Sequence, residues 1–427
     1  MADVDPQRMT RQTGEARAFR RRVFYIPGYD PIHPRRYREL YRKEAAEQAA
    51  ISGYTLDLAP KTTKGPYGWR VTGQIGGQST EADVEVLVWS DIVRGSMSNS
   101  IPATYLQLVR TAWAYIGSGA LFRLMRLRKG PVIAALYPIV FLLAQLAFAC
   151  LAGWLAYLGA STVVDRLTGL AAAPGTSSLL GVAVGSLAAG GTIVAILRWF
   201  KARDNKVFAY YLMHDYAYSA QSGGANPPPL EARMAAFTAT IRAALQTPCD
   251  EVLVVGHSSG AHLGVSILSD LLRAGLPDGH PPLAFLSLGQ VVPMVSFLPK
   301  ATRLRADLAY LSAHRDLTWV DVTAPGDGCA FALCDPVAVT GVAPRDQHWP
   351  LVLSAAFTQT LSPARWKALR WRFFRLHFQY LCAFDRPGDY DYFQITAGPL
   401  RLADRYRDRA PSKSRIVKPV NRFTSQQ

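Results

Sequence analysis

Residues 251–263 read EVLVVGHSSGAHL, and this stretch contains the pattern G-x-S-x-G between Gly256 and Gly260. A run of β-forming residues precedes the pattern, and small and apolar residues at helical spacing follow it. We therefore predict a strand, a tight turn and a helix, with the two glycines letting the backbone fold closely. Such a turn would hold the hydroxyl of Ser258 clear of its own chain, beside the backbone N–H groups of the new helix. Ser258 is thus a candidate nucleophile, and an ordinary turn serine is the alternative.

The composition narrows the class of protein. The chain has 427 residues, five scattered cysteines and a net charge of +16. No Cys-x-x-Cys pair or cluster of cysteine and histidine occurs, so we expect neither a disulfide framework nor a metal site, and no residue pattern requires another cofactor. A positive surface suits nucleic acid or anionic lipid. Because no nucleic-acid-binding motif is present, we expect membrane lipid and no nucleic acid as the partner.

Two long stretches of the chain carry no charge. Residues 130–164 and 167–197 contain no Asp, Glu, Lys or Arg. About 20 apolar residues suffice to cross a bilayer as a helix. A segment rich in glycine, alanine and proline separates the apolar runs, so we predict a transmembrane helical hairpin over residues 129–200, with a pair of buried core helices as the alternative. Gly181 and Gly185 have the spacing that lets two helices approach closely in lipid.

Basic residues flank the predicted hairpin on both outer sides: Arg123, Arg126, Arg128, Lys129, Arg198, Lys201, Arg203 and Lys206. Positive residues stay on the cytoplasmic side of a membrane, so we expect both flanks and the domain attached to them to be cytoplasmic, at a bacterial inner membrane. The positive charge would then attract the anionic headgroups of the inner leaflet. The sequence gives no prediction of the oligomeric state.

Strand and helix patterns alternate along the rest of the chain. Candidate strands cover residues 22–26, 54–58, 69–75, 84–89, 284–288 and 317–322, candidate helices cover 35–51, 101–127 and 231–245, and 207–213 fit either. This alternation predicts an α/β fold with a doubly wound, mostly parallel sheet that the hairpin interrupts. The predicted segments are a flexible basic leader (1–21), two parts of one domain (22–128 and 201–400) and a basic tail that is disordered or lies on the membrane (401–427).

These features together resemble the α/β-hydrolase family of serine hydrolases, lipases and esterases. The resemblance rests on the G-x-S-x-G turn between a strand and a helix, on an early strand followed by Pro27 and Gly28, and on the strand order downstream. It covers roughly residues 22–100 and 205–400. It implies a catalytic triad in the chain order serine, acid, histidine, so the partners of Ser258 would follow it.

The resemblance places the acid in a loop directly after a strand that follows the nucleophile. Asp327 lies in such a loop, after the candidate strand 317–322. Asp321 within that strand and Asp335 further along are weaker candidates. Because Gly-Asp-Gly is good turn chemistry in itself, a purely structural turn is the alternative for Asp327.

Chain order leaves two histidines as candidate bases, since only His348 and His377 follow Asp327. His348 precedes the strand-like residues 351–355, whereas the family's base follows the last strand, so we prefer His377. Asp327 would orient this imidazole and stabilise its protonated form. A histidine packed among aromatic residues is the alternative for His377. We interpret His257, beside the serine, as a packing residue.

The resemblance also implies an oxyanion hole made of two backbone N–H groups. The first donor would be Ser259, directly after the nucleophile, and the second would come from the loop after an early strand. Tyr29 in the segment Pro27–Pro31 is our candidate for the second donor, with Gly28 allowing the close approach. A simple structural Pro-Gly turn is the alternative.

The sequence therefore predicts a membrane-anchored serine hydrolase. It would cleave carboxylic esters, with lipid acyl esters as the expected class because the hairpin holds the site beside them. Two alternatives remain open at this point: a catalytically inactive α/β-hydrolase domain that serves as a membrane scaffold, and a thioesterase or peptidase that acts on soluble substrates. Whether the hairpin forms part of the substrate pocket is also open.

Overall fold

A computed structural model of the protein, which describes residues 17–97, 100–169 and 178–427, contains one mixed sheet of eight strands. The strands are β1 (Phe19–Ile26), β2 (Thr55–Pro60), β3 (Gly68–Ile75), β4 (Gln78–Val86), β5 (Glu251–His257), β6 (Leu283–Leu288), β7 (Leu317–Thr323) and β8 (Leu351–Ser354). They pair in the order β2-β3-β4-β1-β5-β6-β7-β8. Strands from β4 to β8 in this order run parallel, and β2 and β3 form an antiparallel edge. The predicted α/β class is confirmed.

Helices cover both faces of this sheet. They are α1 (Arg35–Ser52), α2 (Ser90–Ser96), α3 (Ile101–Gly117), α4 (Ala120–Leu127), α5 (Lys129–Thr168), α6 (Leu179–Ala202), α7 (Ala209–Ala220), α8 (Pro228–Ala244), α9 (Ser259–Arg273), α10 (Val292–Ser296), α11 (Thr302–Ala313), α12 (Pro336–Thr340), α13 (Phe357–Thr360), α14 (Pro363–Leu369), α15 (Phe373–His377), α16 (Tyr392–Ala397) and α17 (Leu402–Arg405), with 3₁₀ turns at Asp204–Lys206 and Gln379–Leu381. Successive strand residues point to opposite faces, so Val23 and Tyr25 join one core with α1 and α16. Phe24 and Ile26 join the other core with α8, α9 and α11.

Two helical segments differ in detail from their sequence patterns. Residues 207–213, which fitted either strand or helix, belong mainly to α7. The single helix predicted over 101–127 is two helices, α3 and α4, because Gly119 adopts a left-handed φ of 72° between them. Such a conformation ends a helix, and glycine adopts it without steric cost.

The predicted leader is wrong in its last part, since β1 begins at Phe19. Arg21 is only 2% exposed, and its guanidinium pairs with Glu251 at the start of β5 at 2.7 Å. A second guanidinium N–H donates to the carbonyl of Gly398 at 2.6 Å. A run of arginines in a sequence indicates a solvated segment. Here the carboxylate of Glu251 on the neighbouring strand compensates the charge of Arg21, so this arginine can be buried. Residues 1–16 of the predicted leader lie outside the described residues.

Of the two alternatives predicted for the tail, disorder is wrong, because residues 401–427 pack back against the domain. The N–H of Ser412 donates to the carbonyl of Val352 at 2.9 Å. The N–H of Ile416 donates to Leu333, and the guanidinium of Arg305 donates to the carbonyl of Ser425 at 2.6 Å. The basic side chains remain on the surface, while the backbone N–H and C=O groups form hydrogen bonds with the domain. The charge of the segment therefore did not indicate that it is ordered.

The two apolar helices, α5 and α6, are long and apolar enough to cross a membrane, with mean hydropathies of 2.3 and 2.1. They pack on each other along small residues. A Cβ atom at Gly185 would lie 2.8 Å from a ring carbon of Tyr157, and one at Gly153 would lie 2.7 Å from Ile193. The second helix begins at Leu179, later than the uncharged stretch at 167, and residues 170–177 lie outside the described residues.

We expect Glu251→Gln to lower the free energy of unfolding by about 3–5 kcal/mol, because it leaves the guanidinium of Arg21 buried without a countercharge. The control is Glu81→Gln. Glu81 lies 3.8 Å from Arg20 in a largely exposed ion pair, and losing this pair should cost about 0–1 kcal/mol. Denaturant unfolding in a non-ionic detergent measures both. Equal losses in the two variants would contradict the structural role of the buried pair.

Candidate active site

The carboxyl ends of β1, β5 and β7 meet at one edge of the sheet. The register aligns Ile26 with Gly256, His257 with Leu288, and Leu288 with Val322. The loops that follow these three strands therefore emerge side by side. In parallel sheets this edge is where ligands bind, so the sheet itself brings the predicted site residues into one region.

Ser258 lies between β5 and α9 in a backbone conformation that residues other than glycine rarely adopt. Its φ is 56° and its ψ is −123°. Such a conformation costs on the order of 1–3 kcal/mol and persists only where the surroundings fix it. Here the Ser258 N–H donates to the carbonyl of Leu288 at 2.9 Å, and its carbonyl accepts from the N–H of Ala261 at 3.0 Å. This backbone conformation directs the side chain of Ser258 away from the sheet.

Three glycines make this turn possible. A Cβ atom at Gly256 would lie 2.6 Å from the carbonyl oxygen of Gly260. One at Gly260 would overlap the carbonyl oxygen of Ile26, and one at Gly28 would lie 3.0 Å from the Cβ of Ser258. Real Cβ atoms are not found at the first two separations, so close backbone approach explains why the sequence has glycine there.

His377 and Asp327, which are far apart in sequence, are in direct contact. The Nδ1 of His377 lies 2.7 Å from the Oδ2 of Asp327. The same carboxylate accepts from the hydroxyl of Tyr380 at 3.0 Å and from the N–H of Cys329 at 2.9 Å. Burial by itself raises the pKa of Asp327, but the charge of His377 and these hydrogen bonds outweigh it and lower the pKa overall. Asp327 is therefore an ionised group that can stabilise a protonated imidazole.

His257 holds the backbone of His377 in position. Its Nε2 lies 2.9 Å from the carbonyl oxygen of His377, and the two rings are 4.9 Å apart. Burial, followed by the charge of His377, lowers the pKa of His257 to about 3, so its ring is neutral and can donate this hydrogen bond. The residue that we interpreted as packing thus also fixes the segment that carries the candidate base.

The alternative acids and base lie elsewhere. His348 is exposed in the loop before β8, at the opposite end of the parallel strands from the Asp327 loop. Asp321 is buried inside β7, where it accepts a hydrogen bond from Ser287 at 2.5 Å. Asp335 caps the start of α12 by accepting from backbone N–H groups. None of the three contacts His377.

Ser258 and His377 line one cavity of about 90 Å³. Ser258 is partly exposed, and its hydroxyl forms no hydrogen bond with the described residues, His377 included. Hydrogen bonds of catalytic groups are often long or absent before a substrate binds. Pro131, in the first turn of α5, lines the same cavity, so one of the apolar helices forms part of its wall.

The N–H groups of Tyr29 and Ser259 have no acceptor among the described residues, and both residues line the cavity. The loop that carries Tyr29 is held by its own side chain, whose hydroxyl is 2.6 Å from Ser96 Oγ, and by its carbonyl, which accepts from the hydroxyl of Tyr211. The arrangement leaves two backbone donors, one of them at the start of α9, that can stabilise a negative charge on a bound ligand.

The residues Asp327, Cys329 and His377 each offer one ligand atom within 4.8 Å of the others, as a metal site would require. The same proximity is that of an acid–imidazole pair with a thiol beside it. Burial, and then the charge of Asp327, raises the pKa of the Cys329 thiol. The Nδ1 of His377 is also already engaged by Asp327.

Two residues of the site were missed in the sequence. Tyr380 donates to Asp327 and accepts from the N–H of Ala324 at 2.9 Å, so it fixes the acid loop, yet it reads as one of many aromatic residues. Asp215 on α7 lines the cavity, and burial raises its pKa to about 7 against the opposing charge of His377. Its segment, residues 209–220, reads AYYLMHDYAYSA and matches no catalytic motif.

We expect Asp215→Asn to raise the thermal unfolding midpoint at pH 8. An unfolded aspartate has a pKa of about 3.9, so ionising Asp215 between pH 4 and about 7 destabilises the folded state, and asparagine removes that loss. The gain should shrink to zero as the pH falls to 4. Asp278→Asn, at an exposed position, is the control and should show no such pH dependence. A gain for Asp215→Asn that is equal at pH 4 and pH 8 would contradict this account.

No family model, no curated protein and no solved structure matches this chain. Proposals about its function therefore depend on the geometry of the site.

Proposed function

We propose that the protein is a membrane-anchored serine hydrolase that cleaves carboxylic esters. The observation that carries the proposal is that two sequence-distant groups, Ser258 and His377, line one cavity while a third, Asp327, is hydrogen-bonded to His377. Ser258 is on a strained strand-to-helix turn, His377 lines the same cavity, and the Nδ1 of His377 is 2.7 Å from Asp327. A serine, an imidazole and an oriented carboxylate in this order are the parts that a nucleophilic mechanism needs.

The proposed reaction has two steps. In the first, the Oγ of Ser258 forms a bond to the ester carbonyl carbon while its proton passes to the Nε2 of His377. The carbonyl oxygen becomes negative and accepts from the N–H groups of Tyr29 and Ser259. The C–O bond then breaks, and the alcohol leaves with the proton from His377. In the second step, water gives a proton to the Nε2 of His377 and attacks the acyl carbon. The bond from this carbon to the Oγ of Ser258 then breaks, the acid leaves, and His377 returns the proton to Oγ.

The fold supports assignment to the α/β-hydrolase class at the level of its architecture. The nucleophile turn follows a central parallel strand, the acid follows a later strand, and the base follows the last strand, β8. The loop with Gly28 and Tyr29 follows β1, which is the direct neighbour of β5. This proximity supports Tyr29 as the second oxyanion donor, although its loop lacks the His-Gly-Gly-Gly sequence of lipases and esterases.

The hairpin supports a site at a membrane surface. The N-terminus of α5 and the C-terminus of α6 form its base, where the basic flanking residues lie. Because positive flanks stay cytoplasmic, we propose a cytoplasmic site at a bacterial inner membrane. The contribution of Pro131 to the cavity wall argues that the hairpin shapes the substrate pocket in addition to anchoring the domain.

A second segment with the chemistry of a membrane interface leads directly to the candidate base. Residues 370–375 read RWRFFR and are all exposed, with Trp371 at 73%. Phe374 lines the cavity, and its ring is 6.1 Å from that of Phe208, just after the hairpin. Arginines interleaved with aromatic rings are typical of segments that lie at the headgroup level. Lipid acyl esters are therefore the substrate class that we propose.

The catalytic assignment is tested with a fluorophosphonate probe, which reacts with activated serines. We expect the purified protein to be labelled, Ser258→Ala to abolish labelling, and His377→Gln to slow it by about 10²–10⁴-fold through loss of the general base. His348→Gln is the matched control and should label at the native rate, because His348 is exposed and remote from Ser258. Folded native protein that does not react would favour the inactive scaffold.

The membrane assignment is tested with Trp371→Ser. Since this side chain is exposed three residues before the cavity-lining Phe374, we expect the rate on an ester embedded in lipid vesicles to fall about tenfold, while hydrolysis of a short water-soluble ester stays unchanged. Leu400→Ser is the control. Leu400 is also exposed, at 50%, but it lies beside Arg21, at the end of the sheet opposite to the cavity. Equal effects on both substrates would count against a membrane-embedded substrate and favour soluble esters, thioesters or peptides.

A further inference from the structure

The cavity beside Ser258 has acidic residues in its lining, although the chain as a whole is basic. The chain carries a net charge of +16, yet none of the described residues that line the cavity is a lysine or an arginine. Two carboxyl groups, Asp30 and Asp215, do line it. An anionic substrate group would meet these carboxyl groups without a positive side chain to pair with, so the lining selects against anions.

The two carboxyl groups differ in their partners. Asp30 accepts hydrogen bonds from the hydroxyl of Tyr37 at 2.7 Å and from the N–H of Ile32 at 2.9 Å, and it pairs with Arg36 at 3.4 Å. The carboxyl of Asp215 forms no hydrogen bond and no ion pair with any residue that the structure describes. Only Asp215 therefore keeps its full acceptor capacity for a ligand.

Aromatic residues line the same cavity as this carboxyl. Tyr29, Tyr211 and Tyr216 line the cavity together with Asp215, and the rings of Tyr29 and Tyr211 are 6.3 Å apart. The hydroxyl of Tyr29 bonds to Ser96, and that of Tyr211 bonds to the carbonyl of Tyr29, so neither satisfies Asp215. The faces of aromatic rings attract cations. Rings combined with an unpaired carboxyl provide the chemistry that binds an ammonium group.

The carboxyl also makes the folded protein less stable while it stands alone. Burial disfavours its ionised form more than the charge of His377 favours it, as its pKa of about 7 reflects, and a buried charge without a hydrogen-bonded partner is costly. A bound cation would supply the missing countercharge. A group that lowers stability in the empty site and gains a partner from the ligand is characteristic of binding sites, where function and stability conflict.

We propose that Asp215 is a specificity-determining residue that binds a positively charged nitrogen of the substrate while Ser258 attacks the ester carbonyl. The inference rests on the proposed function and narrows its substrate class. The preferred substrates are esters that carry an ammonium or alkylammonium group close to the scissile bond. Esters with a phosphate or carboxylate in that place are poor substrates.

Binding is measured on the Ser258→Ala protein in a non-ionic detergent at pH 8, so that turnover does not interfere. The probes are choline and 3,3-dimethylbutan-1-ol, which have nearly the same shape and differ in charge, with ethanolamine as a primary ammonium. We expect choline to bind at least about tenfold more tightly than the neutral alcohol. Adding Asp215→Asn should abolish the difference. Isothermal titration calorimetry measures each affinity.

Turnover by the chain with Ser258 intact tests the same site in the reaction. The substrates are butyrylcholine and its neutral isostere 3,3-dimethylbutyl butyrate. We expect the ratio of their kcat/KM values to favour the cation about tenfold or more and to fall to about 1 in Asp215→Asn. Asp215→Glu, which keeps the charge, should restore part of the preference, whereas a purely structural role would not distinguish the two substrates.

The outcomes separate this inference from the proposed function. Equal binding of choline and the neutral alcohol, or a choline preference that survives Asp215→Asn, overturns the cation site. Hydrolysis of both esters without a charge preference leaves the hydrolase proposal intact and overturns the inference alone. Binding of choline through Asp215, with no ester turnover and no fluorophosphonate labelling, supports the cation site and refutes the hydrolase proposal. Thermal unfolding confirms that each variant is folded.

Discussion

The close approach of the chain after β1 to the turn after β5 is the constraint on which the candidate site depends. Side chains at Gly256 and Gly260 would collide with neighbouring backbone, and one at Gly28 would crowd Ser258. The junction therefore holds Ser258 in a strained conformation and leaves the N–H groups of Tyr29 and Ser259 without acceptors among the residues that the structure describes. The parallel register of β5, β6 and β7 then brings the acid loop to the same edge. The register of the sheet thus places the loops that carry most of the site residues at one edge.

Features that depend on neighbouring residues could be predicted from the sequence. The strand-turn-helix around Ser258 and the two apolar helices are of this kind. Glycine spacing determines a turn, and a long uncharged run determines an apolar helix, without any contribution from distant residues. The pairing of Asp327 with His377 is not local, because 50 residues separate them. It was accessible only because the resemblance to a family fixed the order of acid and base along the chain. Elimination by order and by position relative to the strands then left His377 as the preferred base.

Features that depend on distant partners could not be predicted in the same way. Arg21 reads as part of a solvated basic segment, and only its pairing with Glu251, 230 residues away, explains its burial. The tail of residues 401–427 is ordered by backbone hydrogen bonds to other parts of the domain, which its charged composition does not reveal. Asp215 is the clearest case. The role proposed for it depends on the lack of a hydrogen-bond or ion-pair partner for its carboxyl among the described residues. A single acid among aromatic residues on a helix gives no local sequence pattern that would predict this.

The central position of β1 has a consequence for the biosynthesis of the protein. The first strand of the chain lies inside the sheet, between β4 and β5, and both apolar helices are translated before β5. At about 5–20 residues per second, the edge of β1 that pairs with β5 stays open for roughly 10–50 s. An open apolar edge is a template for aggregation. The ribosome-bound half-sheet therefore keeps an unpaired strand edge until the hairpin and then β5 have left the ribosome.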